Sequence, residues 1–119
     1  MASLGMKGSY AFNEGTIKKE ITKTSAGNYA LGYEKDDGTY IVQYVGRSDS
    51  DVGGRLSSHI GKKYSEFKYS YATSPKAAFE KECENYHDFG GNKKLHNEIH
   101  PDRPQNSSWK CPRCNVFEK

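Results

Sequence analysis

The sequence predicts an α/β domain of the α+β kind: a small, mainly antiparallel three-stranded sheet flanked by helices. Three observations predict it. Aromatic and aliphatic side chains alternate with other residues in three short runs, the period of a half-buried strand: Tyr29, Leu31 and Tyr33; Tyr40, Val42 and Tyr44; Phe67, Tyr69 and Tyr71. After the second and third runs, apolar residues return every three or four positions, the period of a helix. The "KDDG" between the first two runs is a turn signal, so those runs pair as a β-hairpin.

Taken in order, residues 1–26 are lysine-rich, with "TIKKEITKTSAG" offering only Ile17 and Ile21 as apolar anchors, and read as an added strand or a loose arm. The hairpin follows, and pairing across "DDG" sets Tyr29 roughly opposite Tyr44, with Tyr29 and Tyr33 on one face. A helix starts near Asp51, capped by Ser50 or Asp51, with Val52, Leu56 and Ile60 as its apolar stripe. Arg55 and His59, four apart, fall on one flank of it. After the third strand, "TSPKAAFEKECENYH" opens a second helix, with Ser74 as N-cap and Pro75 at its first position. Its stripe is Phe79, Cys83 and Tyr86, and Glu82 and His87 lie on opposite shoulders of that stripe. The tail is loop-like and carries the one tryptophan.

At 119 residues the chain fits one domain, with a core over 27–97 and a tail over 98–119. Only 34% of residues are apolar, but nine tyrosines and five phenylalanines supply large area to bury. A net charge of +3 permits a basic face without announcing nucleic acid. The short apolar runs exclude a membrane span, and "MASLGMKGSY" lacks the apolar stretch of a signal peptide, so the expectation is an intracellular, cytoplasmic protein.

The order strand, strand, helix, strand, helix, with "GNY" opening the first strand and "YVG" closing the second, resembles the GIY-YIG nuclease domain. The resemblance covers residues 27–97 and rests on Gly27 and Tyr29, Tyr44 to Gly46, Arg55, Glu82 and Asn97, in that order along the chain. It implies metal-assisted hydrolysis of a phosphodiester in DNA. Tyr29 or Tyr44 would position or deprotonate the attacking water, a role in which a phenol needs nearby positive charge. Arg47 and Arg55 would supply that charge and clamp phosphate oxygens with a planar fork of donors. Glu82 would hold one Mg²⁺ or Mn²⁺, a hard cation that keeps several waters. Asn97 would help order the site, and His59 is a candidate proton carrier. Gly46 would be small so that a phosphate backbone can approach. Tyr33 is the alternative first tyrosine, and Asn92 the alternative asparagine.

Blander readings stand beside these. The tyrosines also suit the packing of a small sheet, Arg55 and His59 a solvated helix face, and Glu82, between Glu80 and Glu84, an acidic surface. Lys62, Lys63, Lys68, Lys93, Lys94, Arg103, Lys110 and Arg113 allow a basic groove for DNA or another nucleic acid, with weak sequence reading. The alternative from another class is a catalytically silent nucleic-acid-binding or protein-interaction module on the same fold, with a protein partner or a second copy of the chain.

A second constellation is separate from the nuclease resemblance. "KCPRC" gives Cys111 and Cys114 the spacing of a zinc knuckle, and "ECENYH" puts Cys83 and His87 four apart on one helix face. Three sulfurs and one imidazole complete a tetrahedral set for structural zinc, which would pin the irregular tail onto the second helix. His96 or His100 would be the substitute for His87, and two chains sharing one metal through their C-x-x-C units is the other arrangement. Without metal, Cys83 is a small core residue and Cys111 with Cys114 a redox pair.

Overall fold

The computed structural model describes residues 5–61, 64–97, 101 and 109–112, apart from the Asn92 side chain. Four strands form one antiparallel sheet: β1 (Lys7–Ala11), β2 (Gly27–Glu34), β3 (Tyr40–Ser48) and β4 (Glu66–Tyr71), in the order β1-β4-β2-β3. Three helices accompany them, α1 (Glu14–Glu20), α2 (Val52–Ser57) and α3 (Pro75–Asp88), and a 3-10 turn spans Gly91–Lys93. The expected three-stranded sheet therefore gains a fourth strand. β1 is polar, and its order comes from β4, whose open edge supplies the hydrogen-bond partners and whose Phe67 and Tyr69 receive the Tyr10 ring at 5.6 and 6.1 Å. The two anchors of the N-terminal segment, Ile17 and Ile21, are both buried.

The sheet is covered on both faces. On one, Ile17 and Ile21 with Val52 and Leu56 of α2 meet Tyr29, Leu31, Phe67 and Tyr69. On the other, Tyr86 of α3 and Leu95 meet Ala30 and Val45. The caps act at the expected places. Asp51 Oδ1 accepts from the Gly54 N–H at 3.1 Å, and Ser74 Oγ from the Ala77 N–H at 3.1 Å, with Pro75 at the start of α3.

Two local departures shape the site. Leu31 pairs with Tyr44 but Gly32 with Val42, so Gln43 is an extra residue in β3. This bulge turns Tyr44 onto the face of Tyr29 and Leu31, while Val42 and Tyr40 stay with Ala30 on the other. The single-face alternation of Tyr40, Val42 and Tyr44 is thereby broken. Tyr29 lies opposite Gly46 rather than Tyr44. The second departure is in α2, which ends at Ser57 and tightens: the His59 N–H bonds to Leu56 O at 3.0 Å and the Ile60 N–H to Ser57 O at 3.1 Å. Three residues per turn instead of 3.6 rotate the following side chains, so His59 is buried and Ile60, expected in the stripe, is 41% exposed.

Candidate functional site

Tyr29 is 1% exposed, and its hydroxyl sits 2.7 Å from His59 Nε2. Its ring lies nearly parallel to that of Tyr44, with centroids 6.4 Å apart and planes at 19°, and both rings are about as close to His59, at 5.4 and 5.5 Å. Gly46 makes this possible. A Cβ there would collide with Tyr29 Cζ and Oη, so the glycine is the seat of the tyrosine ring. The expectation that Gly46 is small for the sake of a phosphate backbone gives way to this nearer cause.

Burial raises the Tyr29 phenol well above its usual pKa, and Tyr44 adds to the rise while the Arg55 guanidinium opposes it. Tyr44 is raised as well, by burial first and by Glu82 second, again against Arg55. Both phenols thus stay protonated near neutral pH. A phenolate base is disfavoured, and the group hydrogen-bonded to Tyr29 Oη is the His59 imidazole.

Arg47 points to the α3 side. Its Nη1 donates to Glu82 Oε1 at 2.6 Å, its Nε donates to Asp49 Oδ1 at 3.0 Å, and its guanidinium lies 5.1 Å from the Phe79 ring centre. The paired side chains are 13% exposed for Arg47, 11% for Glu82 and 42% for Asp49, so the Glu82 bond is the sheltered one. Burial pulls the Arg47 guanidinium down, but Glu82 and Asp49 outweigh it and hold it above its usual pKa. For Glu82 the balance goes the other way: burial lifts the carboxyl, and Arg47 offsets only part of the rise. Among the described residues Arg55 is in none of the ion pairs, and it is exposed. Its guanidinium is within hydrogen-bonding reach of the Tyr29 phenol, and of the two arginines it is the more exposed.

Glu82 and Arg55 both act electrostatically on Tyr29 and Tyr44, and Arg55 acts on Glu82. Six of the expected residues, Tyr29, Tyr44, Arg47, Arg55, His59 and Glu82, are therefore gathered around the end of β3. The seventh, Asn97, stands behind it. Its Oδ1 accepts from the Val45 N–H at 3.0 Å and its Nδ2 donates to the Val45 carbonyl at 2.8 Å, while the His96 N–H donates to the Gln43 carbonyl at 2.6 Å. Residues 96 and 97 thus satisfy the outer edge of β3 as a further strand would. Tyr33, the alternative first tyrosine, is 41% exposed at the far end of β2.

Sequence reasoning missed Asp49 and Tyr64. Asp49 is reachable from the sequence, being two residues beyond Arg47 in "RSD", the same-side spacing of an extended chain. Tyr64 sits in no periodic run, yet its ring is 6.4 Å from Tyr44 and its hydroxyl 2.9 Å from His96 Nδ1. An aromatic row runs outward from the phenol pair as a result. Of the expected basic residues, Lys93, Lys94 and Lys110 are exposed, and Lys68 is half-buried with its Nζ 5.0 Å from the Tyr40 ring centre. Lys62, Lys63, His100, Arg103, Arg113 and the zinc candidate Cys114 lie outside the described residues.

Cys83 and Cys111 are both buried and share an apolar cluster with Phe79, with Trp109 packed against it. His87 lies one turn along α3 from Cys83, its ring edge-on to Tyr86 at 5.3 Å. Among the described residues no group of three or more His, Cys, Asp or Glu is gathered for a metal, and no helix is long and apolar enough to cross a membrane.

No protein-family model, curated protein or solved structure matches the chain. Fold and site define a class alone: a small α+β domain with paired tyrosines, an imidazole, two arginines and a buried carboxylate at one strand end.

Proposed function

We propose that the chain is a divalent-metal-dependent endonuclease of the GIY-YIG type, hydrolysing phosphodiester bonds in DNA. The observation that carries this reading is the convergence of Tyr29, Tyr44, Arg55, His59 and Glu82, which come from two strands, a helix with the turn that ends it, and a second helix. Packing explains the tyrosines but gives no reason for a buried carboxyl and an exposed guanidinium to act on the same two phenols.

The chemistry follows from the hydrogen bonds. A water attacks phosphorus and passes a proton to Tyr29 Oη as the phenol's own proton moves to His59 Nε2, 2.7 Å away. The relay needs no phenolate, which agrees with the raised phenol pKa. Arg55 binds a non-bridging phosphate oxygen and offsets the charge that builds as the bond to the leaving oxygen breaks. Arg47 keeps Glu82 in place instead of touching substrate.

Glu82 suits a Mg²⁺ or Mn²⁺ ion. Its carboxylate accepts from Arg47 Nη1 at Oε1, and a single carboxylate is enough for a cation that keeps waters. When bound, the ion would polarise the phosphoryl oxygen and stabilise the leaving one. The aromatic row through Tyr44, Tyr64 and His96 adds faces on which bases of a nucleic acid can stack.

The test is cleavage of supercoiled, branched and single-stranded DNA in Mg²⁺ or Mn²⁺ by wild type, Glu82→Ala and Arg55→Ala. Wild type is expected to cut at least one of them, and both variants to lose the activity while still binding. Binding without cleavage by wild type on every substrate would support the catalytically silent module. Cleavage untouched by both substitutions would overturn the site.

A further inference from the structure

A row of aromatic rings leads away from the buried Tyr29 phenol. Tyr44 stands beside Tyr29, Tyr64 is 6.4 Å from Tyr44, and His96 is 5.6 Å from Tyr64. Exposure rises along the row: Tyr44 and Tyr64 are half-buried, and His96 is exposed. The outer end is held in place. The Tyr64 hydroxyl and His96 Nδ1 are 2.9 Å apart, and the His96 N–H donates to the Gln43 carbonyl at 2.6 Å. Gln43 is the extra residue of β3, so one bulge both turns Tyr44 into the row and anchors its far end. Core packing accounts for Leu95 and Asn97, which are buried, but not for the exposed imidazole between them.

We propose that Tyr64 and His96 form a stacking subsite for an unpaired nucleobase, which makes single-stranded or branched DNA the substrate class. Stacking uses a flat π face, which every base has, so the subsite reads strandedness and not sequence. Within a duplex both faces of a base are covered by its neighbours, and a base must be unstacked at a cost before it meets a protein ring. In a single strand or at a branch point most of that cost is already met. The contact between the two side chains fixes their rings before the nucleic acid arrives, so little side-chain freedom is lost on binding.

The charges suit a strand that follows the row. Exposed Arg55 acts on Tyr44 at the inner end, and exposed Lys93 and Lys94 precede His96 by three and two residues at the outer end. The base on Tyr64 then belongs to a nucleotide beside the phosphate that Arg55 binds. Only this placement of the reacting phosphate rests on the nuclease reading; the stacking does not.

The experiment is fluorescence anisotropy of the full-length chain on an oligothymidine strand and on a blunt duplex of equal length, in EDTA so that nothing is cut, for wild type, Tyr64→Phe, Tyr64→Leu and His96→Ala. Wild type is expected to bind the single strand more tightly than the duplex. Tyr64→Leu and His96→Ala should each lose about 5–150-fold on the single strand and change little on the duplex. Tyr64→Phe keeps the ring and should keep the affinity. A 2-aminopurine placed in the strand should lose emission on binding wild type and Tyr64→Phe but not Tyr64→Leu, a signature that a merely structural role of Tyr64 would not give. His96→Ala changes an exposed side chain, so it tests the subsite even where circular dichroism shows Tyr64→Leu to be unfolded. Wild type that binds the duplex as tightly as the single strand, or single-strand affinity unchanged in His96→Ala, would overturn the subsite. Wild type that stacks the strand in this way yet cuts no DNA would overturn the nuclease reading and leave the subsite standing.

Discussion

Gly46→Ala puts a methyl group where the Tyr29 ring already lies. The ring is 1% exposed, with Tyr44 and His59 beside it, and in the sheet Tyr29 also faces Tyr69 of β4, so retreat is blocked. Forcing a methyl group into such a core costs about 1–3 kcal/mol. Pushing the phenol aside also breaks its 2.7 Å bond to His59, a further loss of about 1 kcal/mol. The total is roughly 2–4 kcal/mol. At about 4 °C per kcal/mol for a domain near this size, the melting temperature should fall by ~8–16 °C. The assay is urea denaturation of Gly46→Ala, Tyr29→Ala and the double variant. With the ring gone the clash is gone, so in the Tyr29→Ala background Gly46→Ala should cost almost nothing. Additive losses would refute the steric argument. A glycine kept small for the substrate instead would leave Gly46→Ala as stable as wild type and lower only DNA cleavage.

Asn97→Ala removes both bonds to Val45 and leaves a buried N–H and C=O unpaired, which should cost about 2–3 kcal/mol and speed hydrogen exchange at the Val45 amide; protection unchanged there would contradict the bracing role. The raised Glu82 carboxyl sets a pH dependence in two parts. Its folded pKa exceeds its unfolded one, so its contribution to stability is full below the ordinary glutamate range and is lost as pH rises through the folded value. Under the nuclease reading cleavage would need the ionised carboxylate, so the acid limb of the pH–rate profile should lie above the ordinary glutamate range, move down at saturating Mg²⁺, and move up in Arg47→Ala. A limb at ~4.3, the free side chain's value, would show that burial does not govern it. His59→Gln should lower the cleavage rate about 10²–10⁴-fold with DNA affinity intact, as measured by single-turnover kinetics beside anisotropy.

The strands and helix starts were legible because each has a local cause: alternation for β2 and β4, Asp51 and Ser74 for the caps. What was not legible has a non-local cause. The bulge at Gln43 is invisible in "YIVQYVG", since both faces of β3 are packed and carry large side chains, leaving no polar face to mark the change of register. β1 is polar, and β4's open edge orders it. Cys83 and Cys111 share one cluster although they are 28 residues apart in a sequence with no period linking them.

The 3-10 tightening after α2 bears most on the candidate site. Arg55 and His59, four apart, were expected on one flank of the helix. The tightened turn separates them by exposure: Arg55 remains at the surface and His59 goes beneath, 6% exposed, yet both act on Tyr29. Under the nuclease reading that difference assigns their work. A cation that must meet a phosphate has to reach solvent, whereas an imidazole that must take a proton from a buried phenol gains from being held by the core. Had α2 continued to Ile60, the aliphatic side chain would have filled that core position and the imidazole would have faced water, away from the phenol. Ile60, 41% exposed, is the apolar side chain displaced to the surface by that arrangement.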